Sequence, residues 1–344
     1  MKGRFKNSLL FVCCIVCAVL LAACPKQAAS GISKGLTLAA GLFIPAMLPM
    51  YFLVFFIAGT RVEAVFRKIL VPFCRFLRIP GGAAIVMVSG FLGGYPSGAI
   101  AAKKQVERGA LHPDDAGRLM VFCVNPGPAF VIGAVGGTLF GSVKAGFLLL
   151  AAGWAASAVL ALFCRKKGPA DPKKFEPGTY GPLTAAFCDA VAGAANASLT
   201  ACAAIALSCA AVSVLSSLFG GGELILSPLF EVTGGVSALS KTGSLPLCAA
   251  ALGFGGISVM IQTAAFSASF FNAKKLVFSR LVHALLSAGF TAALTAVFPL
   301  SLQENAAQTF AAVRENQVPA ALLLVFCGFA LSLANLMKKR YNNP

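Results

Sequence analysis

The tetrapeptide Asn125-Pro126-Gly127-Pro128 lies inside an apolar run, "FCVNPGPAFVIGAVGG" (122–137). Each proline removes a helix N–H and clashes with the preceding turn. Asn125 can bond the freed backbone groups or a ligand. The run reads as an unwound helix with a new half-helix starting near Pro128, whose N-terminal end carries partial positive charge and suits an anionic group. Upstream, "FLGGYPSGAI" (91–100) interrupts a second apolar run with Gly94, Tyr95, Pro96 and Ser97. Non-helical backbone at membrane depth survives only where it is buried in protein or lines a wet cavity. Both interruptions therefore point to a site, of which Gly94, Tyr95, Pro96, Ser97, Asn125 and Gly127 are candidate lining residues.

Other polar groups fall in apolar surroundings. Arg118 and Arg280 could clamp a carboxylate or phosphate through paired N–H groups, or snorkel to an interface. In the second half the polar groups at matching depth are Ser258, Gln262, His283 and Ser287. A lone histidine on a helix reads either as a satisfied structural group or as a ligand. Glu231, in "PLFEVTGGVSAL", is an acid in an apolar setting, so it could hold a coupling cation or proton, or cap a short helix. Asp189 sits on the small-residue stretch "FCDAVAGAANAS", which reads as interfacial.

Several chemistries find no footing. No Ser-x-x-Lys, nucleophile elbow or pair of acids at catalytic spacing is present, so an enzyme is not expected. The twelve cysteines lie mostly in apolar segments, where Cys acts as a small hydrophobe, and two distant histidines do not make a zinc site. No metal or cofactor is expected, and a coupling cation or proton is left open. The net charge of +17 is confined to short clusters between apolar segments, which writes membrane topology rather than a nucleic-acid surface.

The elements that must position these residues are membrane helices. The chain is 58% hydrophobic and only 11% charged, where a soluble chain carries about a quarter charged residues. Apolar segments recur near the length needed to span hydrocarbon: 7–24, 36–58, 83–102, 116–139, 144–164, 198–219, 246–271, 276–298 and 318–337. The first reads as a transmembrane helix, or as a signal-like segment with lipidation at Cys24. The stretch "TRVEAVFRKILVPFCRFLRI" reads as an amphipathic interfacial helix, and "CRKKGPADPKKFEPG" as a basic linker; both should face the cytoplasm. Residues 36–58 and 144–164 then both run inward, so one segment between them enters and leaves on one side. The glycine- and proline-broken 83–102 is the natural re-entrant hairpin.

The second half reads as a repeat. An offset of 162 superposes Gly93-Gly94 on Gly255-Gly256, Arg118 on Arg280 and Gly127 on Gly289, which places a second hairpin at 245–271 with Ser258 and Gln262 at its tip. The expected fold is all-α and polytopic: two inverted repeats, each with a re-entrant helical hairpin and a broken transmembrane helix, a secondary-transporter plan. Its parts are 1–34, a first repeat 35–164, the linker 165–182, a second repeat 183–298, and 299–344, which completes the second repeat.

The succession "GLTLAAGLFIPAMLPMYFLV", "GFLGGYPSGA", "GRLMVFCVNPGPAFVIGAVG", "FEVTGGVSAL", "GFGGISVMIQ" and "SRLVHALL" resembles the YlbJ (SpoVV-like) family of sporulation integral membrane proteins. These carry nucleoside-recognition (Gate) domains and are similar in plan to concentrative nucleoside transporters. The resemblance implies a multi-pass protein of the bacterial cytoplasmic or outer forespore membrane that passes dipicolinate. Its partners would be the lipid bilayer and a small anionic substrate, not nucleic acid, with room for a homo-oligomer. The substrate would sit between hairpin tips and broken helices, at the residues named above. Tyr95 would stack on the ring, and Ser, Asn and Arg118 would take the carboxylates. The Gln- and Glu-rich hairpin of nucleoside transporters is replaced here by Tyr95-Pro96-Ser97. A nucleoside or other metabolite transporter of the same plan, and a non-transporting sporulation scaffold, are the alternatives.

Overall fold

A computed structural model describes residues 2–165, 180–267, 270 and 272–300. All regular structure among them is helical, in fourteen stretches. Five helices are long and apolar enough to cross a membrane: Pro25–Gly59, Val143–Phe163, Leu183–Leu218, Leu245–Ser267 and Ala273–Val297. Their outward faces carry large apolar side chains, Phe163, Leu207, Ile261 and Leu285 among them, each more than half exposed. This is the surface of a multi-pass membrane protein, since a soluble chain keeps such patches small. The expected C-terminal segment 299–344, but for its first two residues, and most of the linker 165–182 lie outside the described residues.

Helix α1 (Lys2–Ala23) is followed directly by α2 (Pro25–Gly59), so the expected boundary at residue 34 falls inside one 35-residue helix. Within α2, turns 39–43 are π-wound, just before Pro45 and Pro49 withdraw two N–H donors. Helix α9 (Leu183–Leu218) lies antiparallel to it. A methyl on Gly31 or Gly35 would come within 2.6 Å of the Ala210 or Ala206 backbone, and at the other end Gly59 faces Ala186. Small residues let two backbones approach where lipid supplies no hydrophobic drive. The Ala/Gly-rich stretch around Asp189 belongs to the first half of α9 and packs on α2.

The amphipathic stretch forms α3 (Val62–Leu77), which ends at Arg78 in a left-handed conformation. Two short arms follow, α4 (Ala83–Gly93) and α5 (Ser97–Glu107), packed side by side. Gly90 and Gly98 make this close: a methyl on Gly98 would lie 3.1 Å from the Gly90 Cα. Next come α6 (Pro113–Phe122) and α7 (Ala129–Leu139), separated by the Asn-Pro-Gly-Pro break, and then α8 (Val143–Phe163).

The second half departs from expectation. The folded-back pair is α10 (Glu223–Phe230) and α11 (Val232–Ser240), which meet at Glu231 and pack against each other. Gly235 permits it, since a methyl there would reach within 2.4 Å of the Pro228 Cα. Helices α12 (Leu245–Phe254) and α13 (Gly256–Ser267) do not fold back; they continue one another through a break at Gly255-Gly256, both with positive φ. Helix α14 (Ala273–Val297) closes the described chain. The 162-residue offset therefore paired unlike elements. Arg118 lies on α6 and Arg280 on α14, and Gly127 is tightly packed, whereas nothing lies within 4 Å of a methyl placed on Gly289.

Candidate functional site

Two chain reversals meet two helix breaks. In the first half the α4–α5 turn, Gly94-Tyr95-Pro96, sits against Gly127: a methyl on Gly94, at φ +73°, would come within 2.6 Å of the Gly127 nitrogen. The Cys123 carbonyl lies between Gly90 and Gly98. Met47 of α2 packs against both Gly94 and Gly127. In the second half Gly256 sits against the α10–α11 turn, where a methyl would be 2.8 Å from the Glu231 nitrogen. Thus each reversal abuts the break that follows it in sequence.

Hydrogen bonds join these parts. The Tyr95 hydroxyl donates to the Leu252 carbonyl (2.9 Å) beside the second break, and Tyr51 donates to the Tyr95 carbonyl. The Ser97 hydroxyl lies 2.6 Å from the Ser89 and Gly94 carbonyls, tying the two arms together. Asn125 donates from Nδ2 to the Phe122 carbonyl (2.8 Å), an orphan acceptor at the end of α6. Its Oδ1 accepts from Ser157 of α8 (2.8 Å). The Ser157 hydroxyl proton is thereby used, so at 2.9 Å His283 Nε2 must supply the proton to Ser157; the Gly153 carbonyl, 3.1 Å away, can also only accept. His283 Nδ1 lies 3.3 Å from the Ser287 hydroxyl. A single directed chain, His283 to Ser157 to Asn125 to Phe122, crosses from α14 through α8 to the first break.

Each break carries a buried charge. Arg280 is fully buried and donates to the carbonyls of Val121 (2.5 Å), in the last turn of α6, and of Val124, in the break that follows. Among the described residues no carboxylate lies within 4.0 Å of it, and its Nε has no partner. Glu231 is also buried and accepts from the Gly234 amide (2.7 Å), capping the N-terminus of α11. A guanidinium stands at a helix C-terminus and a carboxyl group at a helix N-terminus, the ends at which a helix dipole favours positive and negative charge.

Of the expected site residues, the structure brings Asn125, His283 and Ser287 around one cavity, with Pro126 and Trp154, and sets Gly94, Tyr95, Pro96, Ser97 and Gly127 beside it. That cavity is about 10 Å³, room for one water at most. Tyr95 is 5% exposed and offers no open ring face. Ser258 and Gln262 are not at a tip. They lie on α13, bonded to each other at 3.0 Å, because 245–267 runs on instead of turning back. Arg118 does not reach the site either. It pairs with Asp115 (2.7 Å) and donates to the Cys164 carbonyl at the end of α8, lining an open groove of about 870 Å³ with Lys275. For Glu231, capping is the role the geometry displays.

Sequence reasoning missed Ser157, Tyr51 and Met47. Ser157 is one hydroxyl in an Ala-rich run, and nothing local marks it. A signal was legible in α14: Ser279, Arg280, His283, Ser287 and Thr291, all buried, form one polar stripe at helical spacing. Compared with family models, curated proteins and solved structures, the chain matches none.

Proposed function

We propose that this chain is a membrane transporter for a small organic anion, with dipicolinate, moved across the outer forespore membrane, as the solute that its sequence resemblance suggests. The reading is carried by one observation: two buried chain reversals stand against two broken helices, Gly94 on Gly127 and Glu231 on Gly256. Discontinuous helices at mid-depth are where secondary transporters hold solutes. On this reading α4–α5 and α10–α11 are re-entrant. Their arms run to about 16 Å and 13 Å at 1.5 Å per residue, well short of a 30 Å hydrocarbon core. The antiparallel α2 and α9 support an inverted pair of repeats, 25–163 and 183–297. The basic clusters of α3 and of Lys103, Lys104 and Arg108 support a cytoplasmic open end for α4–α5, and an inverted second repeat would then have α10–α11 open outward. The buried guanidinium of Arg280, with no carboxylate within 4.0 Å among the described residues, supports an anionic solute. No metal or cofactor enters this account.

The small cavity and the self-satisfied hydrogen-bond chain favour a second reading, a non-transporting scaffold in which the breaks serve packing alone. On the transporter reading the halves must separate to admit a solute, because the cavity between them has room for one water at most. Uptake of labelled dipicolinate into proteoliposomes of the full chain, with uridine in parallel and Asn125→Ala as control, decides between them. Dipicolinate uptake that the control loses is the expected result. Uridine uptake alone would keep the transporter and change the solute. Entry of neither would favour the scaffold.

A further inference from the structure

The first break holds a positive charge that nothing in the anion-transport reading requires to be covalently attached. Where a transmembrane helix unwinds, its freed carbonyls and the C-terminal pole of the half-helix form a ready cation site, which transporters commonly fill with a bound sodium ion or proton. Here that place is occupied. Arg280 reaches from α14 and donates to the carbonyls of Val121 and Val124, three residues apart across the end of α6. The residue is 0% exposed, out of reach of bulk solvent. The described residues set no carboxylate within 4.0 Å of it, and the ionisable groups that face it are Tyr95, Cys123 and His283. Removing such a charge from water is costly unless fixed dipoles replace the hydration. The two carbonyls and the pole of α6 are the dipoles available. A planar fork can hold two acceptors at once, which a lysine ammonium on a flexible stem does less well.

We propose that Arg280 is a tethered cation: its guanidinium fills the carbonyl site of the first break, in the place a coupling ion would take, so this break neither binds nor needs a metal cation. Only the transport half of this inference rests on the transporter reading; the occupancy half does not. Removing the side chain should leave an empty site lined by the Val121 and Val124 carbonyls, open to a free cation of the right shape.

The test is thermal unfolding of the purified full-length protein in detergent, in choline chloride and then with choline replaced in part by sodium, potassium or methylguanidinium at about ten millimolar. The wild type is expected to melt at one temperature in all four. Arg280→Ala is expected to melt lower in choline and to regain about 3 °C with methylguanidinium, the size of shift given by a ligand at several times its dissociation constant. Gly35→Leu, destabilised at the distant α2–α9 contact, should gain nothing. Saturable stabilisation of the wild type by sodium or potassium would overturn the proposal. So would an Arg280→Ala variant that no cation raises, or an equal gain in Gly35→Leu. Should Arg280→Ala not fold, Arg280→Lys decides: a folded protein of lower melting temperature is expected, because the charge is kept, and loss of the Lys variant as well would contradict a role for the charge. In proteoliposomes, dipicolinate uptake should be equal in sodium, potassium and choline. Absence of all uptake would count against the transporter reading and leave the unfolding result standing.

Discussion

The two reversal-and-break units share a geometry and differ in charge. At the first, Gly94 touches Gly127 and a guanidinium from a distant helix satisfies the carbonyl end of α6. At the second, Gly256 touches Glu231, and that residue's own carboxylate satisfies the amide end of α11. One unit exposes acceptors and is served by a guanidinium; the other exposes donors and is served by a carboxyl oxygen. A broken helix inside a membrane protein must settle its loose backbone groups. The sign of the buried charge follows from which end of which half-helix is left open. The source differs too. Glu231 acts within its own turn, whereas Arg280 ties the first unit to the second half of the chain.

The glycine contacts should be the most sensitive part of this comparison. Gly94→Ala and Gly256→Ala each force a side chain into a positive-φ conformation and against backbone closer than 3.0 Å. Each should lose about 2–5 kcal/mol, the sum of a left-handed penalty and an overpacked contact. Gly289→Ala, with open space around it, should be neutral or mildly stabilising. Melting temperatures of the purified variants check this, and a tolerated Gly256→Ala would break the equivalence of the two units.

Next in size is Ser157→Ala, which strands the Asn125 carbonyl oxygen and removes one His283 partner. It should destabilise by about 1–3 kcal/mol, and Asn125→Ala added to it should cost less than the two singles summed. Additive losses would mean that the directed chain from His283 to Phe122 does not act as a unit. Glu231→Gln keeps an acceptor for the Gly234 amide but removes the charge, so about 1 kcal/mol is expected. A larger loss would mean that Glu231 has a charge partner beyond the α11 terminus.

The first unit was readable because its signals are local. Pro126 and Pro128 announce a break wherever they stand in an apolar run, and Gly94 to Ser97 cannot continue a helix. The second unit was misplaced because α10 and α11 have eight and nine residues, too short to register as an apolar segment, while "GFGG" carried the stronger breaker signal. Gly255-Gly256 does break the chain, but without reversing it. Arg280, His283 and Ser287 were legible as polar residues, yet their partners are set by which helices pack together. That packing depends on small-residue contacts such as Gly31 on Ala210, spread over most of the sequence.

The smallest expected effect lies at the rim. Glu63, on the amphipathic α3, is buried beside Gln105, and burial raises its carboxyl above its ordinary value of 4.5, against the opposing pull of Arg108 and Arg67. The folded state then holds the proton to higher pH than the unfolded state does. Stability from this group is full below pH 4.5 and declines as pH rises toward the folded value. Glu63→Gln should flatten that slope in melting-temperature profiles, and an unchanged slope would assign it to another group.

The account depends most directly on the two units opening to opposite sides of the membrane. An epitope inserted in the full chain after Gly109, in the exposed turn beyond α5, should react only in permeabilised cells. The same epitope after Thr242, in the exposed turn beyond α11, should react in intact cells. That pair of results is the one predicted. Reactivity of both insertions from the same side would contradict the inverted arrangement, and with it the reading of the two breaks as the facing halves of one transport site.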